Sequence, residues 1–238
     1  MPFTDDILKR NIDRIRSRIA DSASRSGRSL SDIKLIAVTK QQPPDVVNAL
    51  IRLGITDIAE NRVTDALDKA KHIIGSPVYH FIGNLQRNKV RRALSLFDCI
   101  HAVNSDRLLK KINDDAGELN RVVPLPVFIE VNVSGEESKQ GLPPADVEPL
   151  IEFSRSCPNV RTDGLMTMAP YTDDAGIQRA SFAGLRKLAE TLRSKTGLPL
   201  PHLSMGMSSD FEIAIEEGST VLRIGSAFFE SNPGDSNG

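Results

Sequence analysis

A lysine closes the apolar run IKLIAVTK (33–40), and QQPP, which follows it, cannot continue a central strand. A lysine that ends a strand is ordinarily solvated. In the mouth of a closed sheet an ammonium is partly desolvated, which favours the neutral amine, the nucleophile that condenses with an aldehyde. Two glycine-serine stretches could serve such an amine: SMGMSSD (204–210) and RIGSAFF (223–229). In the first, Gly206 permits a tight turn, Ser208 or Ser209 can cap the next helix, and Ser209 with Glu212 has capping-box spacing. Free N–H groups beside serine hydroxyls make an anion site. Taken alone, that stretch is what an ordinary capped helix looks like. Gly225 and Ser226 add a second small-residue turn on the neighbouring strand, and the pair suits a phosphate dianion.

Arg223 belongs to the same region. In a strand over 220–224, Val221, Arg223 and Gly225 share one face. A guanidinium facing a barrel interior needs a partner, either a carboxylate such as Glu130 or Glu60 or an acceptor on a ligand. An amine facing a phosphate cradle across a barrel leaves two chemistries open. One is a sugar-phosphate aldolase; the other is pyridoxal 5′-phosphate (PLP) held as an internal aldimine.

The elements that must position these groups alternate. Ile7 or Leu8, Ile12, Ile15 and Ile19 recur at helical spacing behind Thr4 as N-cap, and SASRSGRSLSD reads as a loop. Short apolar runs follow at 33–39, 56–59, 77–82, 97–103, 125–133, 160–165, 201–205 and 220–224. Helical stretches separate them at 43–54, 61–74, 86–95, 105–118, 144–155, 174–195 and 209–217. In 174–195 one face carries Ile177, Ser181, Leu185, Leu188 and Leu192. The strand runs are nearly continuous, as buried parallel strands require. Eight strands behind a leading helix predict an α/β fold, a single (β/α)8 TIM barrel. A doubly wound sheet lacks its G-x-G-x-x-G here. One domain over 1–230 and a disordered tail over 231–238 are expected.

Composition excludes several classes. The 238 residues are 39% hydrophobic and 26% charged with a formal net charge of −1, so nothing favours nucleic acid or an anionic membrane as partner. No apolar run approaches the roughly 20 residues of a membrane span. Charges stand where a signal peptide needs an apolar core, which predicts a cytoplasmic protein. Cys99 and Cys157 are isolated and read as reduced structural thiols. His72, His101 and His202 have no ligand spacing, so no metal is expected; His80 ends strand 3 and can face the mouth. The basic run QRNKVRR (86–92) has no interleaved aromatics and reads as a solvated helix face.

From its first helix to RIGSAFF the chain resembles the pyridoxal phosphate homeostasis proteins, the YggS/PROSC family. The matching pieces are AVTK, AEN (59–61), HFIGNLQRNK, VNVSGEESKQG, GLMTM, SMGMSSDFEIAIEEGST and VLRIGSAFF. The resemblance implies a barrel of the alanine-racemase N-terminal type with an extra N-terminal helix, and PLP bound covalently to Lys40. It places the phosphate at Ser204–Ser208 and Gly225–Ser226 and Arg223 against the pyridine nitrogen. It completes the cofactor-binding set with Asn61, His80, Met166, Gly206 and Met207. The implied role is PLP (vitamin B6) homeostasis as a monomeric carrier or buffer without its own turnover, with PLP-dependent apoenzymes as partners. A racemase-like enzyme is the alternative. The family's usual Gly-Glu-Asn-Tyr stands here as Ala59-Glu60-Asn61-Arg62. Full-length alanine racemases carry a second β-domain that supplies a tyrosine base. Here the only tyrosines are Tyr79 and Tyr171 and the chain ends just after strand 8, so Lys40 is the one evident base.

Overall fold

Eight short parallel strands pair in sequence order and close on themselves, β8 returning to β1. They are β1 Lys34–Val38, β2 Asp57–Glu60, β3 Val78–Phe81, β4 Cys99–Val103, β5 Leu125–Glu130, β6 Val160–Met166, β7 His202–Ser204 and β8 Val221–Ile224. The computed structural model describes residues 4–136 and 139–231; the expected tail from 232 onward lies outside them. Six strands match their apolar runs to within one residue at each end, while β4 starts two residues into the run 97–103 and β5 stops three residues short of the end of 125–133. The outer helices are α2 Pro44–Arg52, α3 Val63–Ala70, α4 Val90–Ala93, α5 Asp106–Glu118, α6 Val147–Ser154, α7 Ala175–Thr196 and α8 Phe211–Glu216. Ahead of β1 stands the leading helix, α1 Asp5–Arg25. Among the described residues no helix is long and apolar enough to cross a membrane.

Alternation along each strand sorts side chains into two cores. Ile36 and Val38 point into the barrel with Ala59, Cys99, Phe128, Met166 and Val221. Ala37, Leu222 and Ile224 point outward and bury Leu8, Ile12, Ile15 and Ile19 of α1. That settles the first turn of α1: Leu8 is the buried residue, and the Thr4 hydroxyl accepts from Ile7 N at 3.4 Å. Each such aliphatic side chain contributes about 1.5–3 kcal/mol on burial.

The departures from expectation have tertiary causes. α1 runs on through SASR because Ser22 and Ala23 are buried and Arg25 pairs with Glu216 of α8 at 3.0 Å. Serine-rich composition favours a loop, and packing overrides it. The stretch 86–95 divides into a 3-10 turn, Arg87–Lys89, and the four-residue α4. On α7 Ile177 is exposed and Gln178 is buried in its place, its Nε2 donating to Thr172 O at 2.6 Å. The capping box does not form: Asp210, not Ser209, occupies the N-cap of α8, and Glu212 takes a bidentate contact from Arg18 at 3.1 and 2.7 Å.

Candidate functional site

Continuing the inward parity of Ile36 and Val38 brings Lys40 to the rim at the carboxyl end of β1. Gln41 then takes a left-handed conformation, φ 66°, and the chain leaves the barrel. Lys40 is exposed, and its ammonium has no hydrogen bond or ion pair with any described residue. The expected partial desolvation is therefore not met. What is fixed is the backbone before it. Lys69 Nζ donates to Thr39 O at 2.8 Å and to Glu60 Oε1 at 2.6 Å, while Thr39 Oγ1 donates to the same carboxylate oxygen at 2.8 Å. Glu60 thus clamps the end of β1 and is no partner of Arg223.

A cavity of about 400 Å³ opens beside Lys40, with Gln42, Glu60, Asn61, Arg62 and Lys69 on its walls. The chain after β3 passes close to Asn61, since a side chain at Gly83 would overlap the Asn61 carbonyl. Arg62, where the family usually has an aromatic, is exposed and lies 3.7 Å from Asp65. The glycine-serine turns are not among the lining residues.

Those turns are adjacent to Lys40, not across from it. β8 pairs directly with β1 through Ile36↔Arg223 and Ala37↔Ile224, so Gly225 comes beside Val38. β7 is the next strand round, linked by Ser204↔Val221. Between the two turns the Ser208 hydroxyl oxygen accepts from Gly225 N at 3.1 Å and Ala227 N at 3.3 Å. Two amides therefore converge on one acceptor position. Met207 N donates to the buried Asp210 carboxylate at 2.6 Å. Gly206 is required twice over: its φ is 95°, and an added Cβ would stand 2.7 Å from the Cβ of Ala214. Ser226 is exposed at the start of a 3-10 turn, and Met166 is buried in the barrel interior.

Arg223 is buried in the barrel and forms no ion pair with Glu130 or Glu60. Its Nη1 donates to Ser204 Oγ at 2.6 Å and its Nη2 to Thr167 O at 3.0 Å. Burial lowers it to about 10, against the more distant carboxylates of Asp210 and Glu130. Burial likewise pushes the Glu130 carboxyl up, and Glu130 Oε2 has no hydrogen-bond partner. The rim thus holds a buried cation with donors to spare.

His80, expected among the cofactor contacts, and two residues that the sequence left without a role, His101 and Lys34, complete the interior. His80 lies inside the barrel with both ring nitrogens engaged: Nε2 meets Asp57 Oδ1 at 2.9 Å and Nδ1 meets His101 Nε2 at 3.0 Å. It has no nitrogen left for a ligand. His101 is fully buried, stacked on Phe128, and its Nδ1 meets Ser204 Oγ at 2.9 Å. Lys34 Nζ reaches Asp57 Oδ1 at 3.1 Å from the opposite mouth. The inward parity of β4 was the signal for His101, two residues on from Cys99. His80, Cys99 and His101 also bring their ring nitrogens and sulfur within 4.8 Å of one another, a grouping that sequence spacing did not suggest. The hydrogen bond aims the two nitrogens at each other, whereas a shared ion needs them to converge on a third point. Burial pushes the Cys99 thiol up, which keeps it protonated.

The family model "Alanine racemase, N-terminal domain" matches residues 6–233. The pyridoxal phosphate homeostasis protein of Aquifex aeolicus is 39% identical over 219 residues, 92% of this chain and 95% of its own. That of Pseudomonas aeruginosa is 38% identical, covering 93% of this chain and 94% of its own. Among solved structures, PipY of Synechococcus elongatus with PLP bound superposes with a TM-score of 0.80 at 33% identity, covering 89% of this chain and 100% of that one.

Proposed function

The chain belongs to the alanine racemase N-terminal domain family and, within it, to the pyridoxal phosphate homeostasis proteins, and on that footing we propose that it binds PLP through Lys40 and takes part in PLP homeostasis without turnover of its own. The observation that carries this reading is Arg223: a buried guanidinium, beside the strand that ends in Lys40, with no carboxylate in contact. Burying a cation so placed is costly unless a ligand supplies an acceptor. The residues present fit the cofactor. Lys40 Nζ is unpaired at the rim and would take the aldehyde carbon. Gly225 N, Ala227 N and Ser208 would hold phosphate oxygens, and the Ser208 hydroxyl already marks an acceptor position there. Arg223 would donate to the ring nitrogen and so keep it unprotonated. Asn61 lines the approach, Met166 closes the floor, and Ser204 acts through Arg223.

When bound, PLP supplies an aldehyde for the amine and a ring that withdraws electrons from the carbon attached there. Reversible proton movement on both sides of that carbon needs two bases, and the tyrosines of this chain are not placed to provide one. Tyr79 packs outside the barrel edge-on to Phe97, with ring centroids 6.4 Å apart, and burial raises its hydroxyl. Tyr171 is fully exposed on the loop after β6. The geometry supports a holder of the cofactor over a racemase.

The test is spectroscopic. The protein mixed with PLP and gel-filtered should keep a visible absorption band that borohydride abolishes, leaving Lys40 as the modified residue. Lys40→Ala should lack the band. A loaded wild-type protein with no band, or one modified elsewhere, overturns the reading. Incubating the loaded protein with single L-amino acids in deuterated water separates the roles: rapid Cα exchange with turnover would establish an enzyme.

A further inference from the structure

The barrel core holds a continuous hydrogen-bonded chain that reaches from one mouth to the other. It runs from Arg223 Nη1 to Ser204 Oγ, His101, His80, Asp57 Oδ1 and finally Lys34, each link between 2.6 and 3.1 Å. Ser204, His101, His80 and Arg223 are buried, so water does not interrupt it. Most of its members have no place in the cofactor contacts.

Counting protons gives its direction for two neutral rings. A carboxylate only accepts, so His80 Nε2 carries the proton that faces Asp57. Burial alone would raise the Asp57 carboxyl, but hydrogen bonds from His80 and Lys34 outweigh it and hold the group below its usual value. In the arrangement with one proton on each ring, His80 Nδ1 accepts and the donor is His101 Nε2–H. His101 Nδ1 then accepts in turn, and only the Ser204 hydroxyl can donate to it. Burial, with Arg223 nearby, holds His101 well below the usual imidazole range and therefore neutral. The Ser204 oxygen is left as acceptor for Arg223. From Arg223 to Asp57 every donor points the same way, Lys34 donating to that carboxylate from the other side, and such aligned bonds polarise one another.

We propose that Asp57, His80 and His101 are positioning residues for Arg223: through Ser204 they aim the buried guanidinium, leaving its remaining N–H groups free for the cofactor ring. A carboxylate in direct contact would take two N–H groups, one of which a ring acceptor needs. The relay fixes the Ser204 acceptor on one N–H and leaves the others unoccupied. The inference rests on the PLP-binding reading for its functional consequence, while the order of the protons stands on the chain alone.

The experiment uses the full chain labelled with ¹⁵N-histidine at pH 8, with ring nitrogens read by long-range ¹H–¹⁵N correlation. In the unloaded wild type, His80 and His101 should both show a protonated Nε2 and a bare Nδ1. A proton on Nδ1 of either ring, or on both nitrogens of His80, overturns the proposal, and this arm needs no variant. Asp57→Leu removes the acceptor that sets the order, so His101 should lose its pure Nε2–H signature. Ser204→Ala leaves Asp57 in place, so both tautomers should persist. Unchanged tautomers in Asp57→Leu overturn the assignment of Asp57 as the orienting group. In the cofactor arm, Asp57→Leu should release PLP about tenfold more readily than wild type, as loss of support for one charge-assisted bond implies. Equal retention overturns the positioning role. A wild type that takes up no PLP would defeat the binding reading and leave the tautomer result standing, so the two failures are distinguishable.

Discussion

Residues of the same type in this barrel have acquired different work from their surroundings. Lys34, Lys40 and Lys69 all lie at strand ends or beside them. Lys69 is largely buried against Glu60, Lys34 holds Asp57, and Lys40 alone among the three is left without a partner. Availability, not desolvation, is what marks Lys40. His101 shows the opposite case, a titratable group held neutral by burial. Its effect on stability has a definite sign. Below the ordinary imidazole value of 6.5 the unfolded chain binds a proton that the folded His101 refuses. Stability is therefore full above that pH and falls as pH drops through it, at up to about 1.4 kcal/mol per unit for one proton. Urea unfolding between pH 7 and 5 should show this slope, and His101→Gln should flatten it, as long as the variant unfolds in one transition at pH 7. A slope unchanged in that variant would assign the acid sensitivity elsewhere, His202 being the next group that burial lowers.

At the scale of elements, the turns after β7 and β8 are built for close approach. Gly206 sits with φ 95° under Ala214 of α8, which lets Ser208 reach the amides of the next turn. Gly206→Ala should therefore destabilise by more than about 1 kcal/mol, since an L side chain is strained at that φ and also meets Ala214. Thermal unfolding measures the cost, and a neutral result would mean the turn relaxes freely. Sequence pattern located these elements well because buried parallel strands are short, nearly continuous apolar runs between turn residues. It was weaker where a helix end depends on a neighbour. SASR has the composition of a loop, and only α8 makes it helical; Ser209 has a capping-box partner at the right distance in sequence, but Arg18 from α1 claims Glu212.

Across the whole molecule, α1, the first described helix, is tied to the turn after β8. Asn11 Nδ2 donates to Phe228 O at 2.9 Å and Glu230 O at 3.0 Å, and Arg14 pairs with Glu230. Asn11→Leu leaves the buried Phe228 carbonyl unsatisfied, at about 1–3 kcal/mol. Hydrogen exchange at Ala227 N should quicken in this variant while β4 and β5 keep their protection; an unaltered Ala227 amide would show that the turn does not depend on α1. The amino-acid sequence by itself determined the eight-stranded barrel, the position of Lys40 at the end of β1, the inward face of Arg223 and the two glycine-serine turns. These follow from periodicity and local backbone preference, which act over a few residues. Tertiary structure alone decided that the turns adjoin Lys40's strand, that Glu60 serves Lys69 and not Arg223, and that His80 and His101 join Arg223 to Asp57. The His101–Ser204 bond spans 103 residues of chain. No local pattern encodes such a pairing, because it exists only once the barrel has closed and carried inward-facing groups of distant strands to the same depth.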